Sequence, residues 1–343
     1  MRRVTWIMTI VICLAVVLSG CGQKSAGAVV KDLNEKMSGL ESYQGTGRMV
    51  VQSGAQPQMY NVEVWYQTPS MYRIALTNQE RDITQIVLRN NEGVYVLTPQ
   101  LNKSFRFQSN WPENQGQVYL YQSLVKSIVD DQERQFATDD KSYIFDVAAN
   151  YSTGTLTRQK VWIDKKFLQP QKVEVADSNE NVVVKLEFTQ FEFNKKFEND
   201  SFDMKRNMTS ENLKSMQTMG QNGEKKPEQN KELSLIEPGY TPAGVAQKSI
   251  TPTQYGEDKG LLVSYQGKYN YNLLETKPQE KAAATTMQGE VVDLGFTMGV
   301  LLGDEKRTLT WMYNGVEYHL TTGDLPVTEM VKVAKSVDAP LSK

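Results

Sequence analysis

The sequence predicts a mainly β chain with a minority of helix: a long, curled antiparallel sheet covered by helices, then a small α+β domain. Three observations predict it. Side chains alternate between apolar and polar with a period of two over much of residues 45–193, the pattern of strands with one buried face. Two stretches, within 29–41 and 118–134, switch to the three- and four-residue spacing of amphipathic helices. Residues 205–234, rich in Asn, Gln, Lys, Glu and Ser, then separate a second block of strands and a closing helix.

Residues 1–20 read as an export signal. Arg2 and Arg3 precede Val4 to Leu18, a run without a charged residue, which is the layout of a secretory signal peptide. The run is short for spanning about 30 Å of hydrocarbon at about 1.5 Å per residue, and polar sequence follows at once. Leu18-Ser19-Gly20-Cys21 ends it. Small residues before a cysteine, directly after an apolar run, resemble a bacterial lipobox. That resemblance implies cleavage between Gly20 and Cys21 and transfer of diacylglyceryl to the Cys21 thiol. Two acyl chains hold a protein stably on a bilayer, where one does so only marginally. The expected location is the outer, extracytoplasmic face of the cell membrane, with residues 21–28 as the tether.

The first helix is expected from Val29 to Glu41, where Val30, Leu33, Met37 and Leu40 form one stripe. Strands take over from Gly45. Val62, Val64 and Tyr66 alternate with Glu63, Trp65 and Gln67; Tyr72, Ile74 and Leu76 alternate with Arg73 and Ala75. Further runs at Ile83 to Arg89, Gly93 to Leu97 and Lys103 to Phe107 are divided by turn residues such as Asn90-Asn91-Glu92-Gly93. The expected sheet is a meander with one apolar and one polar face. Val118 to Arg134 interrupts as a helix, with Leu120, Leu124, Val125, Ile128 and Val129 on one side. Strands resume at Tyr143 to Ala148, Thr157 to Ile163, Pro170 to Ala176 and Val182 to Phe193. About ten strands in one sheet curl or close instead of lying flat, and the two helices are the obvious covers for the apolar face.

The first domain is thus 29–204 and the linker 205–234, where Met204, Met208, Met216 and Met219 mark one short helix. The second domain, 235–343, opens at the turn-rich Pro238-Gly239-Tyr240-Thr241-Pro242. Strands are expected at Gly260 to Gln266, Tyr269 to Thr276, Gly289 to Val300, Thr308 to Tyr313 and Val316 to Leu320. Between the last two, Asn314-Gly315 suits a hairpin turn that needs positive φ at both central positions. A helix from Pro326 to Val337 closes the chain, with Met330, Val331, Ala334 and Val337 on one face; Pro326 fits a first turn, where its missing N–H costs nothing.

Composition removes several function classes. Taking Arg2 and Arg3 from the 38 basic residues leaves fewer than the 40 acidic ones, without the basic excess of a nucleic-acid binder. Of two cysteines, Cys13 leaves with the signal and Cys21 is acylated. No thiol then remains for a nucleophile, disulfide or zinc site. His319, the only histidine, sits between Tyr318 and Leu320 in a strand-like run and reads as a surface or half-buried strand residue. The pairs Asp130-Asp131 and Asp139-Asp140 read as solvated turns. No P-loop, GxGxxG or HExxH is present. The sequence argues against an enzyme and calls for no metal and no cofactor.

The order of elements carries a resemblance. Leu33…Leu40-Glu41-Ser42-Tyr43, then Trp65-Tyr66-Gln67-Thr68-Pro69-Ser70-Met71-Tyr72-Arg73, then Asn91-Glu92-Gly93-Val94-Tyr95-Val96-Leu97 resemble the LolA-like lipoprotein-carrier family. So do Ile163-Asp164 with Leu168-Gln169-Pro170, and later Phe191, Asn194 and Phe202. The resemblance implies a half-barrel: an incomplete antiparallel barrel whose concave side is plugged by helices and holds acyl chains of lipids or lipoproteins. The second domain looks like a small domain of other Gram-positive envelope proteins. The whole layout resembles sporulation-associated lipoproteins of endospore-forming bacteria, and also periplasmic regulators that pair such a half-barrel with a smaller domain.

The candidate site is the hollow. Val62, Val64, Tyr66, Ile74 and Leu76 line its wall, and Leu120, Leu124 and Ile128 fill it when empty and yield to an acyl chain. Periodicity is the same for a lipid hollow and for an ordinary core. The expected partners are the membrane, through Cys21, and a lipid or lipoprotein acyl chain. The alternative is a regulatory or structural interaction lipoprotein whose second domain recruits a membrane protein. Cys21→Ala is expected to abolish acylation, read as loss of radioactive palmitate labelling; a variant that still labels rules Cys21 out as the anchor.

Overall fold

The computed structural model describes residues 24–337 except 53–56, 81, 109–110, 113–116, 150, 152–155, 210–235, 257, 278–283, 295–296 and 314–315. Cys21, most of the linker and the Asn314-Gly315 turn therefore lie outside the described residues. None of the described helices is long and apolar enough to cross a membrane.

The first unit opens with α1 (Ala26–Ser38), whose Ser25 cap accepts the Ala28 N–H at 3.3 Å. Strands β1 (Ser42–Val51), β2 (Gln58–Gln67), β3 (Met71–Asn78), β4 (Ile83–Asn90), β5 (Gly93–Thr98) and β6 (Lys103–Gln108) follow. Helix α2 (Tyr121–Asp130) interrupts, and β7 (Gln135–Thr138), β8 (Ser142–Ala148), β9 (Leu156–Asp164), β10 (Pro170–Asp177) and β11 (Val182–Phe193) complete the unit. The second unit holds β12 (Val245–Tyr255), β13 (Asp258–Gly267), β14 (Tyr271–Thr276), β15 (Ala284–Asp293), β16 (Met298–Leu302), β17 (Arg307–Tyr313), β18 (Val316–Thr322) and α3 (Val327–Ser336).

In the first unit the strands pair in the order β7-β8-β9-β10-β11-β1-β2-β3-β4-β5-β6, every neighbour antiparallel. In the second the order is β15-β16-β17-β18-β14-β13-β12. Strand β15 also pairs in parallel with β6, so that the 18 strands form one hydrogen-bonded sheet. It does not close: among the described residues, β7 pairs only with β8 and β12 only with β13. This is the open, helix-covered antiparallel architecture expected from the sequence.

One buried apolar cluster runs through both units. Val29 and Leu33 of α1 and Leu124, Val125 and Ile128 of α2 lie in it with the inward residues of β1, β2, β3, β8, β9, β10 and β11. In the second unit, Met330, Val331, Val333 and Ala334 of α3 join Val263, Leu273, Leu320 and Trp311.

The expectation of one polar sheet face fails at β3, β4 and β5. Their outer residues Ala75, Ile86, Leu88, Tyr95 and Leu97 form a second core beneath Phe202, flanked by Trp65, Phe197, Met204 and Met208. The chain after β11 folds back over this face. Arg73 is buried there: its Nε donates to Asn207 Oδ1 at 2.6 Å and its Nη1 to Glu63 Oε2 at 2.7 Å, with the guanidinium 4.3 Å from the Trp65 ring centroid. Residues 204–209 are helical and packed against the first unit.

Two further differences concern the second unit. The single strand expected over Gly289 to Val300 is two, β15 and β16, paired from Gly289↔Leu302 to Asp293↔Met298. Strand β12, unexpected from the sequence, is largely exposed and contains Pro252; with one neighbour, it tolerates a residue that cannot donate to a ladder.

The helices are not the sole covers of the concave side. Gln85, on the inner face of β4, accepts from Met298 N at 2.6 Å and donates from its Nε2 to Met298 O at 3.2 Å. The Gln58 Nε2 donates to the Tyr313 hydroxyl at 2.7 Å. Lys103 of β6 forms a buried ion pair with Glu317 of β18. Removing one member of such a pair strands the other charge. Glu317→Ala is expected to destabilise the protein by about 3–5 kcal/mol, read from denaturant unfolding. The apolar pair Lys103→Met with Glu317→Leu is expected to recover most of that loss.

Candidate functional site: the helix-filled half-barrel

Strand pairing builds the wall of the site. Val62 lies opposite Leu76, Val64 opposite Ile74 and Tyr66 opposite Tyr72. Directly opposed residues share a face, so these side chains form three rungs on the concave side. Leu120 stands at the N-cap of α2, with Leu124 and Ile128 one and two turns further on. The structure brings all eight candidate residues into the same contiguous core. Val64, Ile74, Leu124 and Ile128 have no exposed surface, and the most open, Tyr66, keeps 7 %. The helical side chains occupy the concave side of the sheet.

One end of this core is aromatic. Tyr43 stacks on Phe191 with centroids 5.1 Å apart and lies 5.4 Å from Tyr66, which is 5.0 Å from Tyr72. Tyr121 meets Phe193 edge to face at 5.1 Å. Glycine at 45 makes this possible: a Cβ there would lie 2.9 Å from the Phe191 ring. Burial pushes the phenols of Tyr43 and Tyr121 well above their ordinary range.

The start of α2 is held by the sheet. Leu120 has no side chain that can cap. The Tyr43 hydroxyl accepts the Tyr121 N–H at 3.3 Å and donates to Gln122 Oε1 at 2.9 Å. Sequence reasoning missed this role for Tyr43. The available signal was an apolar residue where Ser, Thr, Asp or Asn normally stands.

The second unit presents different chemistry. Ser249, Ser264, Asn272, Thr321 and Thr308 stand opposite one another across five strands, the first four lining a cleft of about 570 Å³. Hydroxyls and amides line it together with Lys248, Glu305 and Lys306 and the rings of Tyr265 and Tyr271, unlike the aliphatic wall of the half-barrel. His319 is largely buried, with Nδ1 3.1 Å from Thr310 Oγ1 and its ring 4.8 Å from that of Tyr255. Glu317 lies 3.8 Å from Nε2 while holding Lys103. Burial lowers the imidazole pKa. The Lys103–Glu317 pair beside the imidazole joins the two units.

Comparisons with known proteins bear on the whole chain. The model of a family described as "Sporulation protein YdcC-like" matches residues 1–202. Sporulation protein YdcC of Bacillus subtilis (strain 168) is 40% identical over 330 residues, covering 95% of this chain and 94% of that protein. Among solved structures, the MucA/MucB complex of Pseudomonas aeruginosa aligns at 11% identity and a TM-score of 0.33, over 92% of this chain and 100% of the other. A putative outer membrane lipoprotein-sorting protein domain from Vibrio parahaemolyticus aligns at 14% identity and a TM-score of 0.32, over 54% and 99%.

One buried carboxyl remains outside these roles. Glu275 is fully buried; its Oε2 accepts the Ile236 N–H at 3.2 Å, and its Oε1 has no hydrogen-bond partner among the described residues. Burial, with the nearby Glu237 adding to it, pushes the carboxyl from 4.5 up to about 7. The folded state thus holds this proton more tightly than the unfolded chain. Its stabilising contribution is complete below 4.5 and is lost as pH rises through about 7. Glu275→Gln is expected to remove that part of the pH dependence. The difference in melting temperature between variant and wild type then widens in the variant's favour across this window; a constant difference refutes the assignment.

Proposed function

The chain belongs to the sporulation protein YdcC-like family, and from that premise we propose a non-catalytic, membrane-anchored lipoprotein of sporulation or germination. Lipidated Cys21 holds it on the extracytoplasmic face of the cell membrane. A lipid or lipoprotein acyl chain binds between the concave sheet and α2.

The observation that carries this reading is how α2 is seated. Its buried face is Leu124, Val125 and Ile128 against a mostly apolar wall, while its first turn is met by the Tyr43 phenol and its later part by the Gln159 amide, which donates to Ser127 Oγ. An acyl chain in place of those side chains exchanges apolar contact for apolar contact, and the wall stays out of water. Such an exchange costs mainly the seating of the helix.

A second reading rests on the shared sheet. Strand β15, Gln85 and the Lys103–Glu317 pair join the units, as expected of a scaffold that recruits a membrane protein partner and holds its two halves in fixed relation.

Full-length protein extracted from membranes and examined by native mass spectrometry separates the two. Acyl binding predicts bound lipid and saturable uptake of a fluorescent fatty acid. Tyr43→Phe, which leaves the Tyr121 N–H without its buried partner at a cost of about 1–3 kcal/mol, is expected to raise uptake severalfold. Ligand-free protein and no uptake by either form would eliminate the acyl site and leave the scaffold.

A further inference from the structure

We propose that the β9–β10 turn, with Phe167 at its tip, is the surface that this protein rests on the bilayer. The proposal deepens the anchoring reading and depends on it, because the anchor sets how far the membrane stands from the folded chain.

The first observation is the length of chain between the anchor and the fold. Lys24 is the first described residue and pairs with Asp32 at 2.5 Å. Cys21 is three residues earlier, a reach of about 10 Å when fully extended. The lipid must therefore enter the membrane close to Lys24. The Lys165 ammonium of the turn lies 5.7 Å from the Tyr143 ring. Lys36 of α1 lies 4.3 Å from the Phe193 ring, and Gln169, beside the β9–β10 turn, donates to Phe191 O at 2.7 Å, so α1 and the turn reach the same end of the sheet.

The second observation is how the turn is built. The Asp164 carboxylate accepts the N–H groups of Lys166 at 2.9 Å and Phe167 at 2.7 Å, and the Asp164 carbonyl accepts Leu168 N–H at 3.0 Å. The neighbouring β7–β8 turn is organised alike, Asp139 accepting Lys141 N–H at 2.8 Å and Ser142 N–H at 2.6 Å. The Lys165 N–H joins the two turns through Lys141 O at 2.9 Å, and its ammonium donates to Asp139 O. The result is a fixed tip, not a floppy loop.

The third is what the tip presents. Phe167 is 54% exposed, among the most exposed large apolar side chains described, with the Lys166 ammonium 4.9 Å from its ring. Asp139 and Asp164 are turned to backbone amides and Asp32 to Lys24; Asp140 stays in solvent. Lys166 lies beside this aromatic, and Lys141 and Lys165 stand on the same two joined turns. An aromatic ring flanked by lysines whose stems can run along apolar surface suits the headgroup layer of a membrane, and lysines within a Debye length of an anionic surface are attracted to it.

The mature lipoprotein offers a direct test. With Cys13 removed and Cys21 acylated, Phe167→Cys carries the sole free thiol. This variant is labelled with an environment-sensitive nitrobenzoxadiazole dye and reconstituted into vesicles of phosphatidylcholine and phosphatidylglycerol containing a headgroup-depth spin-labelled lipid. Asn179→Cys, at the exposed other end of β10, is the reference. The label at 167 is expected to shift to shorter wavelength and be quenched severalfold more than the label at 179. Protein that floats with the vesicles while both labels remain equally in water overturns the orientation alone. Protein that does not float overturns the anchor, and the orientation with it.

Discussion

The concave face of the first unit's sheet is apolar apart from a few buried residues such as Gln85 and Gln159, and the covers of the molecule follow from keeping water off it. A curled open sheet cannot bury its own inner face. Each Val, Leu, Ile or Phe removed from water contributes about 1.5–3 kcal/mol, so covers are strongly favoured. Helix α1 supplies Val29 and Leu33, and α2 supplies Leu124, Val125 and Ile128. The second unit closes what remains, through Met298, Tyr313 and the buried polar contacts to Gln58, Gln85 and Lys103. On the convex side, the chain beyond β11 covers Ile86, Leu88 and Leu97 with Phe202.

The polar groups caught between these layers show which contacts are fixed. Gln85 meets both backbone groups of Met298, much as a strand neighbour would. Arg73 is held by Asn207, Glu63 and the Trp65 ring together. An unpaired polar group inside costs more than its hydrogen bond returns, so these contacts select one arrangement of the layers. Helix α2 is seated mainly by apolar contact, which is non-directional, with polar ties to the sheet: the Tyr43 phenol at its start, the buried Gln159 amide on Ser127, and the Ala148 N–H on Asp131 at its end. The fold thus combines junctions that specify geometry with one cover whose contact is mostly apolar.

How much of this was legible depends on the range of the interaction. The rungs Val62/Leu76 and Val64/Ile74, and the stripe Leu124 and Ile128, were readable because local alternation and helical spacing report directly on which face is buried. Strand β11 runs from Val182 to Phe193 as its pattern indicated. Strand β12 was not readable: an exposed edge containing Lys248, Thr251 and Pro252 has no buried face to leave a pattern. The turn between β15 and β16 was missed although Asp293 and Gly295, ordinary turn residues, interrupt the apolar pattern between them. The cover of the outer face, the Tyr43 cap on α2 and the Gln85 contact join residues 78 or more positions apart, and no local period encodes such partners.

Strand directions fix which end of the hollow is which. Strand β1 begins and β11 ends where Tyr43, Phe191 and Phe193 cluster, and the Gln169 amide beside the Phe167 turn donates to Phe191 O at 2.7 Å. The aromatic end of the core therefore lies at the Phe167 end of the sheet. Gln58 begins β2, Gln85 lies near the start of β4, and Lys103 begins β6. These three contacts with the second unit gather at the opposite end. A protein tethered just before α1 and resting on the Phe167 turn consequently turns the Tyr43 hold on α2 toward the bilayer and carries its second unit on the far side. Hydrocarbon would then reach the Tyr43 end of α2 from the side where hydrocarbon is found.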